Sequence, residues 1–201
     1  MISNETSKKI SLLILFLAFI TFIYATVKAI QIVDRTQIST NDGIYTSYVT
    51  TSIEIAQKAK WLTIKYKNDG CKVQALLDYV TNIPYSTNTF QQKSPQKIIQ
   101  ENYGDCDDKS NLLISMLHAV GIEAYFVLVP KHIFVIVPLS DEILSHKKGL
   151  WVNGVKYYIL ESTAKDSSIG FPLHYKFDEI DSIIEPFANK KIPIETLEYK
   201  L

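Results

Sequence analysis

The chain has 201 residues, with 21 basic and 21 acidic side chains, so it carries no formal net charge. That balance excludes a protein that works by electrostatic neutralisation of nucleic-acid phosphates, and 47% hydrophobic residues exclude a wholly disordered chain. Two cysteines can form one bridge at most, and seven Gly with seven Pro exclude collagen-like and low-complexity classes.

Residues 1–9 form a short tail. From Ile10 to Val27 no charged residue occurs, and a polar stripe is missing from the helical wheel. At ~1.5 Å per residue the stretch spans about 27 Å, the thickness of a hydrocarbon core, and Lys28 can snorkel so that residues 10–30 form a transmembrane helix. Lys8 and Lys9 lie before the span while Lys28 and Arg35 follow it, which leans toward an extracytoplasmic body. The alternative is a cleaved signal peptide with small residues at Ala25 or Ala29. Residues 31–44 read as a juxtamembrane connector ending in Asn41-Asp42-Gly43, and 45–201 as the globular body.

Thr46–Lys65 is expected to be helical, with Ile53, Ala56, Lys60 and Ile64 along one face, until Asn68-Asp69-Gly70. Val73, Leu76, Leu77 and Val80 mark a second helix that ends before Ile83-Pro84-Tyr85. Ser94-Pro95 supplies the N-cap and first position of a short helix through Glu101. A further helix runs from about Asp107 to Ala119 and stops at Gly121. Beyond it the period changes to two: Ala124–Val129 and Ile133–Val137 read as adjacent antiparallel strands. Leu150–Val152, Asn153-Gly154 and Val155–Leu160 form a hairpin. Helices first and strands after predict an α+β fold with helices packed on an antiparallel sheet.

In Tyr103-Gly104-Asp105-Cys106-Asp107-Asp108, the thiol of Cys106 falls at a helix start, where unpaired backbone amides favour a thiolate. His132 lies twenty-six residues on at a strand start, and Glu161 follows the strand Val155–Leu160. Together they make a nucleophile, a base and an orienter. Asp105, Asp107 and Asp108 oppose thiolate formation unless neutralised, either by helix capping through Asp107 or Asp108 with Lys109 pairing nearby, or by a cation. Cys71 offers a competing disulfide with Cys106 and is otherwise an inert helix-start residue. His118 reads as a packing residue, His146 as a loop residue, and His174 as an unsuitable base. Trp61 and Trp151 read as core or rim aromatics. Asn102 and Tyr103 are near enough in sequence to supply an oxyanion donor, though neither can be placed. No zinc-ligand spacing, phosphate loop or serine elbow is present.

The segment from about Val73 to Gly170 resembles the transglutaminase-like superfamily of papain-like cysteine enzymes. The resemblance rests on Ile83-Pro84-Tyr85, Gly104 to Ser110 followed by Leu112-Leu113, Gly121 to Ala124, His132 at a strand start, and Glu161-Ser162-Thr163, in that order. It implies attack by Cys106 on an amide carbonyl of a protein or peptide substrate, proton transfer by His132, and orientation of His132 by Glu161. Where the family usually has Asp, this chain has Glu161, with Asp166 as the fallback acid. Bacterial transglutaminase-like cysteine proteinases carry acid–Cys–acid at this place and bind calcium there. Asp105 and Asp107 match that pattern, while no other cofactor is required. The reading is a membrane-anchored thiol hydrolase. The alternatives are a transamidase joining glutamine to amines and a non-catalytic binding module on the same fold.

Overall fold

The computed structural model describes residues 4–40, 43–87 and 92–201. The chain divides into two compact units, residues 1–37 and 38–201. The first is essentially one helix, α1 (Asn4–Thr36), in which the exposed span Lys8–Ala29 contains an 18-residue window of mean hydropathy 2.5. Its hydroxyls turn back on the helix, Thr21 Oγ1 donating to the Ala18 carbonyl at 2.8 Å and Thr26 Oγ1 to the Phe22 carbonyl at 2.9 Å. That satisfies them without water, as an apolar medium requires. The helix is long and apolar enough to cross a membrane. Residues expected to form an irregular connector continue this helix to Thr36 and then pair as β1 (Gln37–Thr40) and β2 (Gly43–Thr46). Asn41 and Asp42 of the expected turn lie outside the described residues.

In the second unit, α2 spans Ile53–Thr63, shorter than the expected Thr46–Lys65. Residues 47–52 are extended because α5 (Cys106–Ala119) takes their amides, Tyr48 N–H bonding Asn111 Oδ1 at 2.7 Å and Thr50 N–H bonding Ser115 Oγ at 2.9 Å. Ser52 then caps α2. The helix buries Ile55, Ala59 and Thr63, and turns Ile53 and Ile64 of the expected face outward. α3 (Asp69–Thr81) buries Val73, Leu76, Leu77 and Val80 as expected, and α4 (Pro95–Glu101) is capped by Ser94.

The helices are followed by an antiparallel sheet built from β3 (Tyr125–Val129), β4 (His132–Val137), β5 (Gly149–Val152), β6 (Val155–Leu160), β7 (Ser182–Glu185), β8 (Lys190–Ile192) and β9 (Leu197–Lys200). Their order is β8-β7-β3-β4-β6-β5-β9, and every neighbouring pair runs antiparallel. This is the expected α+β architecture. Strands β7 to β9 were not expected. They are three or four residues long, and pairing with an existing edge defines them more than any alternation of their own.

Alternation along β4 separates two cores. Ile133, Val135 and Val137 join the helices, with Leu113, Met116 and Leu117 of α5, in one cluster. Phe134 and Ile136 join Leu150, Val152 and Ile159 in another on the opposite face. β4 is thus held between α5 and a second apolar layer, which fixes the strand that begins with His132.

The β5–β6 link has Asn153 at φ 49° and Gly154 at φ +82°, the pair of left-handed residues a two-residue hairpin needs. A Cβ at Gly154 would meet nothing within 4 Å, so only backbone strain opposes it. Gly154→Ala should therefore lower stability by about 1–2 kcal/mol, read from the urea midpoint, without disturbing the sheet.

Candidate active site

The first turn of α5 is held from both sides. Asp105 is the N-cap, its Oδ1 accepting the Asp108 amide at 3.1 Å, and Asp108 Oδ2 reaches back to the Asp105 amide at 3.3 Å. This closes a reciprocal capping box. Asp108, only 1% exposed, also accepts the Lys93 amide at 2.7 Å. Upstream, Gly104 forms a parallel bridge with Tyr85, donating to the Pro84 carbonyl at 3.2 Å and accepting from the Ser86 amide at 3.1 Å. A Cβ on Gly104 would lie 2.9 Å from Cβ of Asp108, so the close approach demands glycine.

Lys109 completes the anchorage. Only 1% exposed, it donates from Nζ to the carbonyls of Ile83 at 2.9 Å and Thr81 at 3.4 Å. The expectation that Lys109 pairs with the neighbouring acids is thus corrected: its side chain enters the core instead and ties the end of α3 to α5. Burial pulls its ammonium down to about 8, partly offset by Glu161. Ser110 and Ser162 share a buried hydrogen bond of 3.1 Å, which joins α5 to the segment after β6.

These contacts place Cys106 at the first position of α5, half-buried, where the backbone amides of Ile133 and Asp107 act to lower its pKa. Ile133 follows His132 in the chain, so the thiol lies against the start of β4. His132 Nε2 meets Glu161 Oε2 at 2.9 Å. The other carboxylate oxygen, Oε1, accepts the Thr163 amide at 3.0 Å and the Thr163 hydroxyl. When Nε2 carries the proton toward Glu161, Nδ1 is the ring nitrogen with a free lone pair. Tyr175 stacks on the other side of the ring, centroids 6.1 Å apart. Register explains the reach of the longer acid. β6 pairs with β4 only as far as Leu160 opposite Val135, so Glu161 stands diagonally from His132, where an extra methylene closes the gap. Asp166, the fallback acid, is exposed in a turn at φ 56° and forms no part of this arrangement.

Residues 56–136, which carry Cys106 and His132, match the family model of the transglutaminase-like superfamily. The matched segment, about two fifths of the chain, is similar to the core of that superfamily. Glu161 lies beyond the matched segment. Among solved structures, the chain aligns with a candidate cysteine protease from Cytophaga hutchinsonii at 17% identity and TM-score 0.49, covering 77% of this chain and 52% of that one. A candidate protease from Parabacteroides distasonis ATCC 8503 aligns at 18% identity and TM-score 0.45, covering 71% and 28%. Legionella pneumophila LapG aligns at 18% identity and TM-score 0.35, covering 57% and 76%. The chain therefore spans about half or less of the length of the first two. No curated protein matches it by sequence.

The electrostatics of this core run against the expectation of a thiolate. Burial, then Asp107 and Asp105, push the Cys106 thiol up to about 12, against the downward pull of the Ile133 and Asp107 amides. The thiol points at Asp107 Oδ1, 3.9 Å away, a position suited to its neutral form. Asp107 is itself raised by burial and by Asp105 and Asp108, while Gln92 Nε2, donating to Oδ2 at 2.9 Å, and His132 act in the other direction. For Glu161, burial raises the carboxyl, but the bonds from His132 and Thr163 outweigh it and hold the group below the ordinary carboxylate range.

Gln92, Tyr45, Asn111 and Tyr175 escaped the sequence reading. Asn111 donates to the Tyr45 hydroxyl at 3.0 Å and to the Asp107 carbonyl at 2.8 Å, and so links β2 to the turn holding the thiol. Burial, then Asp107, keep the Tyr45 phenol protonated. No motif marks these four residues, and only the folded chain brings them to Cys106.

The two acids of the calcium reading are both engaged within the protein. Asp105 spends Oδ1 on the helix cap and Asp107 is engaged by Gln92. Among the described residues no group of three or more His, Cys, Asp or Glu side chains could hold a metal, while calcium takes about six to eight oxygens. The Cys71–Cys106 disulfide is also excluded, since both thiols are free and Cys71 is exposed. His118 is exposed and stacks on Phe187, His146 lies in an exposed turn, and His174 contacts Phe171. Trp151 is half-buried, but Trp61 is a surface residue.

With the thiol neutral, iodoacetamide should alkylate Cys106 slowly at pH 8, at a rate that climbs with pH toward about 12. Asp107→Asn should accelerate the reaction at pH 8 by about tenfold for each pKa unit it removes. Mass spectrometry of the Cys106 peptide measures both, and equal rates in the two proteins would show that Asp107 does not govern the sulfur.

Proposed function

We propose that the chain is a thiol hydrolase that cleaves an amide bond in a protein or peptide through Cys106, His132 and Glu161. The observation that carries this reading is the 2.9 Å contact between His132 Nε2 and Glu161 Oε2, at the start of the strand whose Ile133 amide acts on the Cys106 thiol. In this reading Glu161 holds the Nε2–H tautomer, and Nδ1 removes the thiol proton as sulfur attacks the carbonyl carbon. The raised thiol makes deprotonation concurrent with attack, so His132 acts as a general base on a neutral thiol. Backbone N–H groups in the first turn of α5 would donate to the carbonyl oxygen as it gains charge. The C–N bond then breaks, the imidazolium protonates the departing amine, and water attacks the thioester to release the acid and restore the thiol.

Against a casein or peptide-library substrate, Cys106→Ala and His132→Ala should each reduce cleavage at least about 100-fold with the fold intact. Glu161→Gln should cost less than either. Cleavage unchanged in Cys106→Ala would overturn the reading, and incorporation of a labelled primary amine into a glutamine-containing substrate would make the chain a transamidase instead. The high thiol pKa favours a second reading, a non-catalytic module on this fold, and the absence of any Cys106-dependent turnover across the library would select it.

In the same proposal α1 anchors the chain in a single pass with the body outside the cytoplasm. The 22-residue span Lys8–Ala29, with Lys8 and Lys9 at its N-terminal end, supports that placement. The exposed thiol of Cys71 provides the test. In membranes that resist alkaline carbonate, a membrane-impermeant maleimide added from outside should label it. Protection from outside would reverse the topology, and a mature chain shortened by about a signal peptide's 15–30 residues would replace the anchor.

A further inference from the structure

The outer face of α2 is more apolar than a solvent-facing helix surface should be. Ile53 is 76% exposed, Trp61 69% and Ile64, the C-cap residue with helical backbone, 84%. At 3.6 residues per turn the three fall within about a quarter of the helix circumference, with Gln57 between them. The opposite face, Ile55, Ala59 and Thr63, is buried in the core. α2 therefore has two apolar stripes, and the fold uses only one.

The surroundings of the outer stripe define what it fits. Lys60 borders it on one side, Lys65 and Lys58 on the other, and Lys67 follows, while Glu54 is the one acid within residues 53–67. Lys58 Nζ lies over the Trp61 ring at 5.3 Å and over Tyr79 at 4.9 Å, and Lys65 over Tyr66 at 4.9 Å. Tryptophan and isoleucine rimmed by long lysines match the interface of a bilayer, where apolar bodies enter the acyl boundary and ammonium groups remain among the headgroups. Four lysines against one glutamate select an anionic surface. The same chain carries a 22-residue apolar helix long enough to enter a bilayer, which would hold this stripe close to such a surface. A protein partner would be expected to offer complementary acids or a shaped groove, and nothing about a smooth stripe edged by lysines calls for one.

We infer that the Ile53–Trp61–Ile64 face of α2 docks on the surface of a membrane containing anionic phospholipid, with Lys58, Lys60, Lys65 and Lys67 meeting the headgroups. The contact is separate from the thiol chemistry proposed above and requires none of it. Docking would set the distance between the Cys106 site and the lipid surface, and so favour substrates displayed at that surface.

Tryptophan fluorescence tests this in the full chain, whose only other tryptophan is Trp151. The protein is reconstituted in vesicles of phosphatidylcholine with or without phosphatidylglycerol, with brominated acyl chains as the quencher. In anionic vesicles Trp61 emission should be quenched and blue-shifted. Trp61→Phe should remove the quenched component and leave that of Trp151. Lys60→Gln and Lys65→Gln, both exposed and so compatible with the fold, should each lower the ratio of quenched to unquenched Trp61 by about fivefold. Trp61 left unquenched by the brominated lipid and open to acrylamide in anionic vesicles would overturn the inference. So would shielding from acrylamide without lipid quenching, because it would assign the face to a protein. Equal quenching in neutral and anionic vesicles would overturn the assignment to an anionic surface.

Discussion

Reciprocal hydrogen bonds between Asp105 and Asp108 at the start of α5 are the constraint on which the rest of the site depends. They fix which residue opens the helix, and so place Cys106 at its first position. A capping box in isolation contributes only about 1 kcal/mol. Here Asp108 is buried and also bonds the Lys93 backbone, while Gly104 pairs with Pro84, Tyr85 and Ser86. Lys109 holds that same upstream strand from beneath. Moving the helix start by one residue would strand several buried polar groups at once, each at a cost of about 1–3 kcal/mol. The position of the sulfur is thus set by polar satisfaction more than by contacts of the sulfur itself.

The charges of the cap have a chemical consequence. Burial, then the carboxylates of Asp107 and of the N-cap Asp105, hold the thiol protonated. The usual expectation that a helix N-terminus acidifies a cysteine fails because burial disfavours the thiolate, and the nearby acids Asp107 and Asp105 oppose a helix end that carries only about half a charge. The imidazole experiences the opposite situation. Its carboxylate partner, kept ionised by Thr163 and by the imidazole itself, fixes the ring and leaves one nitrogen to face the chemistry. In the proposed reaction the neutral thiol gives its proton to the oriented imidazole during attack, with no ion pair formed beforehand.

Much of the body was legible in local signals. Ser94-Pro95 capped its helix, Asn153-Gly154 made its hairpin, and Val73, Leu76, Leu77 and Val80 went inside. The order of Cys106, His132 and Glu161 suggested a site, and the fold joins His132 to Glu161. The errors have physical causes. Periodicity finds a stripe but does not say which way it faces, so Ile53 and Ile64 of α2 were expected along a packing face that proved to be exposed. Lys109 was expected to seek a carboxylate, yet two backbone carbonyls left over by α3 and its exit claimed it. The edge strands after residue 181 were too short to show a pattern.

What the sequence determined by itself is whatever depends on neighbours a few residues away: the apolar helix, the caps, the tight turn and the change of period from helix to strand. These are set by backbone geometry and local hydrogen bonds, which act within a turn or a dipeptide. Only the tertiary structure decided that Glu161 rather than Asp166 meets the imidazole, that Tyr45 and Gln92 approach the acids around Cys106, and that the thiol is held neutral. Those outcomes depend on burial and on charges brought together from distant parts of the chain. A residue's pKa and partners belong to the space around it, and that space exists only once the helices have closed on the sheet.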